Sequence, residues 1–275
     1  MDQQLKAKLG EFARQVRIGI IESTFQAKSG HPGGSLSIAD IFSYLYNVEM
    51  NIDPKDPKME NRDRFVLSKG HTAPALYSTL ANRGFFPVED LKTLRKTDSY
   101  LQGHPDMKHI PGVDVSSGSL GQGVAVANGL ALGAKLKGAD YRVYDIMGDG
   151  ESEEGECWEA AMFAAHYKLD NLCVILDSNG LQIDGPIADV IGPAPHDEKY
   201  RAFGWNVIDA DAHDFDSLEK AFAAARACKG KPSIIIAHSL KGKGVSFMEG
   251  SVDWHGKAPN EDEYKKALAE LGAEA

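Results

Sequence analysis

Asp149 stands between two glycines in "YRVYDIMGDGESEEG", where an apolar run enters a turn and meets four acids within six residues. Glycines placed after a strand let backbone N–H groups approach a phosphate. A carboxylate in that turn works against this. At a separation of ~4 Å and an effective dielectric near 20, two like unit charges repel by roughly 4 kcal/mol. A divalent cation held between carboxylate and phosphate reverses the sign. Asn179, in "LDSNGLQIDG", follows the next apolar run thirty residues later. If both runs are neighbouring parallel strands, about 5 Å apart, Asp149 and Asn179 reach one small cation from the carboxyl edge of the sheet. Oxygen-only ligation suits Mg²⁺ or Ca²⁺, with Mg²⁺ completed by substrate phosphates and water. A plainer reading stays open, with Asp149 capping the following helix and Asn179-Gly180 forming a turn. The second motif at strand–helix–strand spacing weighs toward the metal.

Four of the nine histidines lie in Gly/Pro loops at the ends of regular elements: His31 in "SGHPGGSLS", His71 in "SKGH", His104 in "GHPD" and His255 in "DWHG". Imidazole moves protons near neutral pH, so such a set suits chemistry on hydroxyl and carbonyl oxygens. Each alone reads more readily as structural; four in one kind of context do not. His109, His166, His196, His213 and His238 lack that context and are read as structural.

Elements must bring these loops together. Leu5, Leu9, Phe12, Val16 and Ile20 recur at helical spacing, and a second helix follows "SGHPGGSLS" with Ile38, Ile41, Phe42 and Leu45. "RFVLSKGH" reads as a strand ending in a turn before the helix "APALYSTLANRG", and "VSSGSLGQG" leads into the helix "VAVANGLALGAKLKG". Thereafter "YRVYDIM", "NLCVILDS", "NVIDAD" and "PSIIIAHSL" are strands, alternating with helices in "EGECWEAAMFAAHYKL", "HDEKYRAFGW" and "DSLEKAFAAARACKG". Apolar strands alternating with helices predict an α/β fold, a parallel sheet covered on both faces, here as one domain over 1–275. Gly121, Ala125, Gly129 and Gly133 form a small-residue stripe on one helix, suited equally to a subunit interface or an internal contact. Trp158, Ala161, Met162 and Ala165 are expected on the core face of the helix after the Gly-Asp-Gly turn.

Composition narrows the class. Of 275 residues, 43% are hydrophobic and 25% charged, ordinary values for a globular protein. A net charge of −10, with no basic run, argues against nucleic acid. The three cysteines, Cys157, Cys173 and Cys228, form no C-x-x-C pair and fit a reducing compartment. Neither a signal-type apolar run nor a membrane-spanning stretch is visible, so the expected location is cytoplasmic. Neither G-x-G-x-x-G nor G-x-x-x-x-G-K-[ST] occurs, which weakens a nicotinamide or nucleotide reading.

Gly-Asp-Gly followed some thirty residues later by Asn-Gly resembles the thiamine diphosphate motif. "SGHPGGSLS", "FVLSKGHTAPALY", "GHPDMKHIPGVDVSSGSLGQG" and "DWHGKAP" together resemble the first, diphosphate-binding domain of transketolase, in the same order and over nearly the whole chain. Pyruvate-dehydrogenase-type subunits share the metal motif without this histidine set, and deoxyxylulose-phosphate synthase departs at "SGHPGG" and "GHPD".

The resemblance implies thiamine diphosphate and Mg²⁺ or Ca²⁺ as cofactors, with Asp149, Asn179 and the Leu181 carbonyl on the metal. It puts Gly148 and Gly150 at the diphosphate, met by the Gly150 N–H, and Gly118 and Leu120 against the cofactor rings. His71 and His255 would lie near the diphosphate and reacting centre, His31 and His104 would face the sugar hydroxyls, and Glu154 would lie near the pyrimidine. Glu159 resembles a member of an acidic chain between two active sites. The implied reaction moves a two-carbon ketol unit from a ketose phosphate, such as xylulose 5-phosphate, to an aldose phosphate, such as ribose 5-phosphate. The pyrimidine-binding and C-terminal domains of the family do not follow "YKKALAELGAEA", so the expectation is the N-terminal subunit of a split enzyme rather than an excised domain. It would be completed by a C-terminal subunit in a two-plus-two heterotetramer and be nearly inactive alone. A donor other than xylulose 5-phosphate, or a non-catalytic cofactor-binding module, is the alternative.

Overall fold

A computed structural model describes residues 1–274. Helix α1 (Gln3–Ala27) starts at Asp2, whose carboxylate accepts from the N–H groups of Gln4 (2.7 Å) and Leu5 (2.9 Å). Short helices α2 (Pro32–Leu36) and α3 (Ala39–Tyr44) precede strand β1 (Arg64–Leu67), helix α4 (Ala73–Arg83) and helix α5 (Gln122–Lys137). Strand β2 (Val143–Gly148), helix α6 (Gly155–His166) and strand β3 (Leu172–Ser178) form the next unit. A hairpin of β4 (Leu181–Gln182) and β5 (Gly185–Pro186) leads to α7 (Ile187–Val190) and α8 (His196–Ala202). Strand β6 (Asn206–Asp211), helix α9 (Phe215–Ala227), strand β7 (Ser233–His238) and helix α10 (Glu261–Glu270) complete the order. Among the described residues, no helix is long and apolar enough to cross a membrane.

The five expected strands form one sheet in the order β1-β2-β3-β7-β6, every pair parallel. Side chains alternate across it. Tyr144, Ile146, Cys173, Ile175, Ile235 and Ala237 face one core with α1, α3, α4 and α9. Val143, Met147, Leu172, Val174, Leu176, Ile234 and Ile236 face the other, with Val124, Ala127 and Ala131 of α5 and Cys157, Ala160, Ala161 and Ala164 of α6. The sheet is therefore sandwiched by helices.

Two local expectations shift. The helix expected after "SGHPGGSLS" begins inside it, because Pro32 takes the first turn, where its missing N–H costs nothing, and His31 becomes the cap residue. Met162 is 51% exposed. The buried face of α6 runs through Cys157, Ala160, Ala161 and Ala164, while Trp158, Met162 and Ala165 form the flanking row at spacings of four and three. Trp158 covers that edge by packing on Tyr200 and Phe203.

Candidate active site

β2 and β3 lie side by side with Gly148 opposite Asp177, so the next turns leave the same edge of the sheet together. Asp149 Oδ2 accepts from the Gly180 N–H at 2.5 Å and Oδ1 from the Gly150 N–H at 2.9 Å. The Asn179 amide is oriented by two bonds: Nδ2 donates to Asp177 Oδ2 at 2.9 Å, and Oδ1 accepts from the Leu181 N–H at 3.1 Å. Gly180, at φ +75°, lets the chain turn between these ligand candidates. The Leu181 carbonyl accepts from Lys241 Nζ at 3.1 Å. Burial, then the charge of Asp177, raises Asp149 to about 6. Among the described residues no three His, Cys, Asp or Glu side chains gather at metal-holding distance. This corner instead offers one carboxylate, one amide oxygen and one backbone carbonyl, the hard oxygen set that Mg²⁺ or Ca²⁺ takes. A buried carboxylate that holds its charge so poorly fits a divalent cation.

The corner opens into a cavity of about 390 Å³ lined by every residue expected at the site except His104: His31, His71, Gly118, Leu120, Gly148, Asp149, Gly150, Glu154, Asn179, Leu181 and His255. His31, His71 and His255 form a triangle with ring centroids 5.0, 5.4 and 5.2 Å apart. Burial lowers all three, followed by the charges of neighbouring lysines, Arg95 and each other: His31 to about 4, His255 to about 3, and His71 well below its ordinary range. They are neutral imidazoles at pH 7. His255 Nδ1 sits 3.1 Å from Lys241 Nζ and accepts from it, which assigns its proton to Nε2. His104 stands outside this triangle, its ring 3.2 Å from where a Cβ on Gly118 would be. Glu154 is exposed at the start of α6. Glu159 lies away from the cavity, in a second cleft with Ala125, Gly129, Glu156 and Phe163. A Cβ at Gly150 would approach the Gln182 amide oxygen to 2.7 Å, so a larger residue there would push that side chain aside.

Sequence reasoning missed four side chains here. Lys69 forms an ion pair with Asp177, both buried, and donates to the Gly34 carbonyl at 3.0 Å. Burial would raise Asp177, but Lys69, Ser239 and Ser37 outweigh it and hold the carboxyl below its ordinary value. Lys241, 2% exposed, is lowered to about 8 by burial and then by Lys69. Glu151, 3% exposed, accepts from Ser68 Oγ, from the Gly121 N–H at 2.9 Å and from the Gly148 N–H at 3.0 Å. It ties the loops after β1, before α5 and after β2 into one wall. Lys69 and Asp177 lay inside quoted motifs, "SKGH" and "LDSNG", and Lys241 just before a glycine in "SLKGKG", but only the fold shows them buried. The five histidines read as structural lie outside the cavity lining. His213 Nδ1 bonds Asp40 at 2.8 Å, and His196 Nε2 bonds Ser152 Oγ at 2.9 Å beneath the turn.

Neutral imidazoles able to accept protons therefore face a corner for a cation and an anion, with two buried ammonium groups behind. Comparison with known proteins is consistent with that set. Residues 10–275 match the family described as transketolase, thiamine diphosphate binding domain. The chain is 44% identical over 262 residues to the 6-deoxy-6-sulfo-D-fructose transketolase subunit SqwG of Clostridium sp. (strain MSTE9), covering 95% of each protein. It is 42% identical over 252 residues to an apulose-4-phosphate transketolase subunit of Phocaeicola vulgatus, covering 92% of this chain and 89% of that one. Among solved structures it resembles transketolase from Leishmania mexicana, with a TM-score of 0.91 and 35% identity over 97% of this chain and 41% of that chain.

Proposed function

Because the chain belongs to the transketolase thiamine diphosphate-binding domain family, we propose that it is the N-terminal subunit of a two-chain transketolase. It folds as one diphosphate-binding domain over 1–275. The observation that carries this reading is the cavity where the β2 and β3 turns meet three neutral histidines. The names of two similar proteins, each a subunit of a transketolase and each covered for most of its length, support a separate partner chain; a C-terminal subunit in a two-plus-two assembly is the organisation we propose.

When bound, thiamine diphosphate supplies a nucleophilic carbon that carries the ketol unit. Asp149, Asn179 and the Leu181 carbonyl hold Mg²⁺ or Ca²⁺, whose charge offsets the repulsion between Asp149 and a diphosphate. Gly148 and Gly150 bring backbone against that diphosphate, and Lys241 and Lys69 add positive charge behind it. The Gly150 N–H, on Asp149 Oδ1 in this structure, would be the donor available to a phosphate if that oxygen turned to a cation. Gly118 and Leu120 pack on the cofactor rings, and Glu154 lies at the pyrimidine side. His255 donates from Nε2, since Lys241 occupies Nδ1. His71 and His255 handle protons at the reacting carbonyl, and His31 and His104 hold the sugar hydroxyls. Neutral imidazoles suit both tasks, because each presents one donor and one acceptor.

Xylulose 5-phosphate and ribose 5-phosphate are one donor–acceptor pair for this site. The names of the two similar proteins mention 6-deoxy-6-sulfo-D-fructose and apulose 4-phosphate, which we propose as further donors to test. A tagged chain purified with its stoichiometric partner, incubated with each donor, ribose 5-phosphate as acceptor, thiamine diphosphate and Mg²⁺, tests the reading by product analysis. Cofactor-dependent ketol transfer from one of them supports it. A partner-bound complex that transfers from none refutes it, and full activity of the single chain refutes the two-chain organisation.

A further inference from the structure

His213 lies outside the cavity, yet its ring stands where backbone would be expected. Strands β6 and β7 pair in parallel as far as Asp211 opposite His238, and the Ala212 N–H continues the ladder to the His238 carbonyl at 3.0 Å. In a parallel ladder the next donor, the Leu240 N–H, goes to the carbonyl of residue 212. It goes instead to His213 Nε2, at 2.9 Å. The other ring nitrogen, Nδ1, lies 2.8 Å from Asp40 Oδ2. Asp40 is buried on α3, where burial would raise its carboxyl, but His213 and Arg17 outweigh it and keep it ionised. An ionised carboxylate only accepts, so Nδ1 carries the ring proton and Nε2 is left to accept from Leu240.

Asp40 reaches the same turn by a second route. Arg17 forks onto it, Nη1 to Oδ1 at 3.1 Å and Nη2 to Oδ2 at 2.5 Å, and its Nε donates to the Lys243 carbonyl at 3.0 Å. One buried carboxylate thus grips residues 240 and 243, on either side of Lys241. Lys241 Nζ lies 3.1 Å from both the Leu181 carbonyl and His255 Nδ1. The stem of a lysine is flexible, so its ammonium keeps both partners only where its own backbone is held. Resting on the reading above, we propose that His213 is a positioning residue. Through the Leu240 N–H it holds the turn that aims Lys241 at His255, and so keeps the His255 proton on Nε2.

The test reads imidazole tautomers by ¹⁵N NMR on the full, cofactor-free chain near pH 7. Wild type is expected to carry the His213 proton on Nδ1 and the His255 proton on Nε2. Lys241→Met supplies the reference for a released His255, whose two nitrogen shifts then move toward each other. Two substitutions separate the bonds that His213 makes. The carboxamide oxygen of His213→Gln reaches the Nε2 place and accepts from Leu240, whereas the shorter amide of His213→Asn keeps a donor for Asp40 and loses Leu240. His213→Asn should therefore shift His255 as Lys241→Met does, and His213→Gln should keep the wild-type pattern. An unchanged His255 in His213→Asn overturns the proposal, as does an equal shift in both variants, which marks His213 as a structural partner of Asp40 alone. Should His213→Asn fail to fold, the wild type decides: a proton on His213 Nε2 leaves Leu240 no acceptor and overturns the proposal, and one on Nδ1 supports it. Ketol transfer by the two-chain complex is read separately. A His255 pattern that depends on His213, in a complex that transfers from no donor, supports the clamp and refutes the transketolase reading.

Discussion

His31, His71 and His255 are half-buried, mutually close and held neutral, and this has a cost that depends on pH. A histidine whose folded pKa lies below its unfolded value of about 6.5 takes up fewer protons when folded. Stability from this source is intact above about 6.5 and drains as pH falls toward about 4 for His31 and about 3 for His255. The cofactor-free chain should thus lose urea resistance between pH 6.5 and 4, and His255→Gln should flatten part of that slope. Equal slopes in the two proteins would remove His255 from the account. Lys241 is the second cause of the His255 shift, after burial, so Lys241→Met should move the His255 titration upward from about 3 in an NMR series. These histidines were legible in the sequence because glycine and proline set them in loops at element ends. Lys69 and Lys241 were not, since a lysine next to a glycine in a loop reads as solvated until the fold encloses it.

Strand β2 carries a liability just before the site. Asp145 is fully buried in the face shared with α5 and α6, neither carboxylate oxygen has a hydrogen-bond partner among the described residues, and burial followed by Glu151 raises its pKa far above the ordinary range. An acid raised this way folds neutral, so its penalty is absent below about pH 4 and grows as pH rises through the unfolded value. Asp145→Val should raise stability by about 1–3 kcal/mol at pH 8, and less at pH 4, in paired denaturation curves. A destabilised variant at pH 8 would mean that Asp145 has a partner. Glu151 has the opposite role. Its removal strands the Gly121 and Gly148 N–H groups in a buried wall, so Glu151→Ala should cost about 2–4 kcal/mol and weaken thiamine diphosphate binding. The five strands were readable from their apolar runs and the helices from spacing. The β4–β5 hairpin, two residues a side, is too short to leave a period, and Met162 was misassigned because its row borders the α6 core face rather than forming it.

Across the whole molecule, the sheet points its carboxyl edge at one cavity, while the α5–α6 surface beside it stays uncovered. Val126, Met162 and Phe163 are exposed there, and a Cβ at Gly129 or Gly133 would meet no other element among the described residues. An internal contact therefore does not explain those two glycines of the stripe. Gly129→Leu should leave the isolated chain at least as stable, since glycine is a poor helix former by about 1 kcal/mol. In sedimentation, the same variant should weaken self-association if this face joins subunits; unchanged association would free the stripe of that role. The architecture and the site's core were legible because the motifs after β1, β2 and β3 follow neighbouring strands in chain order. What a sequence could not convey is which charges the fold removes from water. The central claim is that the β2 and β3 turns hold a cation that in turn holds a diphosphate. Calorimetric titration of thiamine diphosphate into the two-chain complex, with and without Mg²⁺, for wild type and Asp149→Ala, addresses it directly. The account predicts tight binding that needs Mg²⁺ and falls roughly 100-fold or more without the Asp149 carboxylate. Binding that ignores both Mg²⁺ and Asp149 would contradict it.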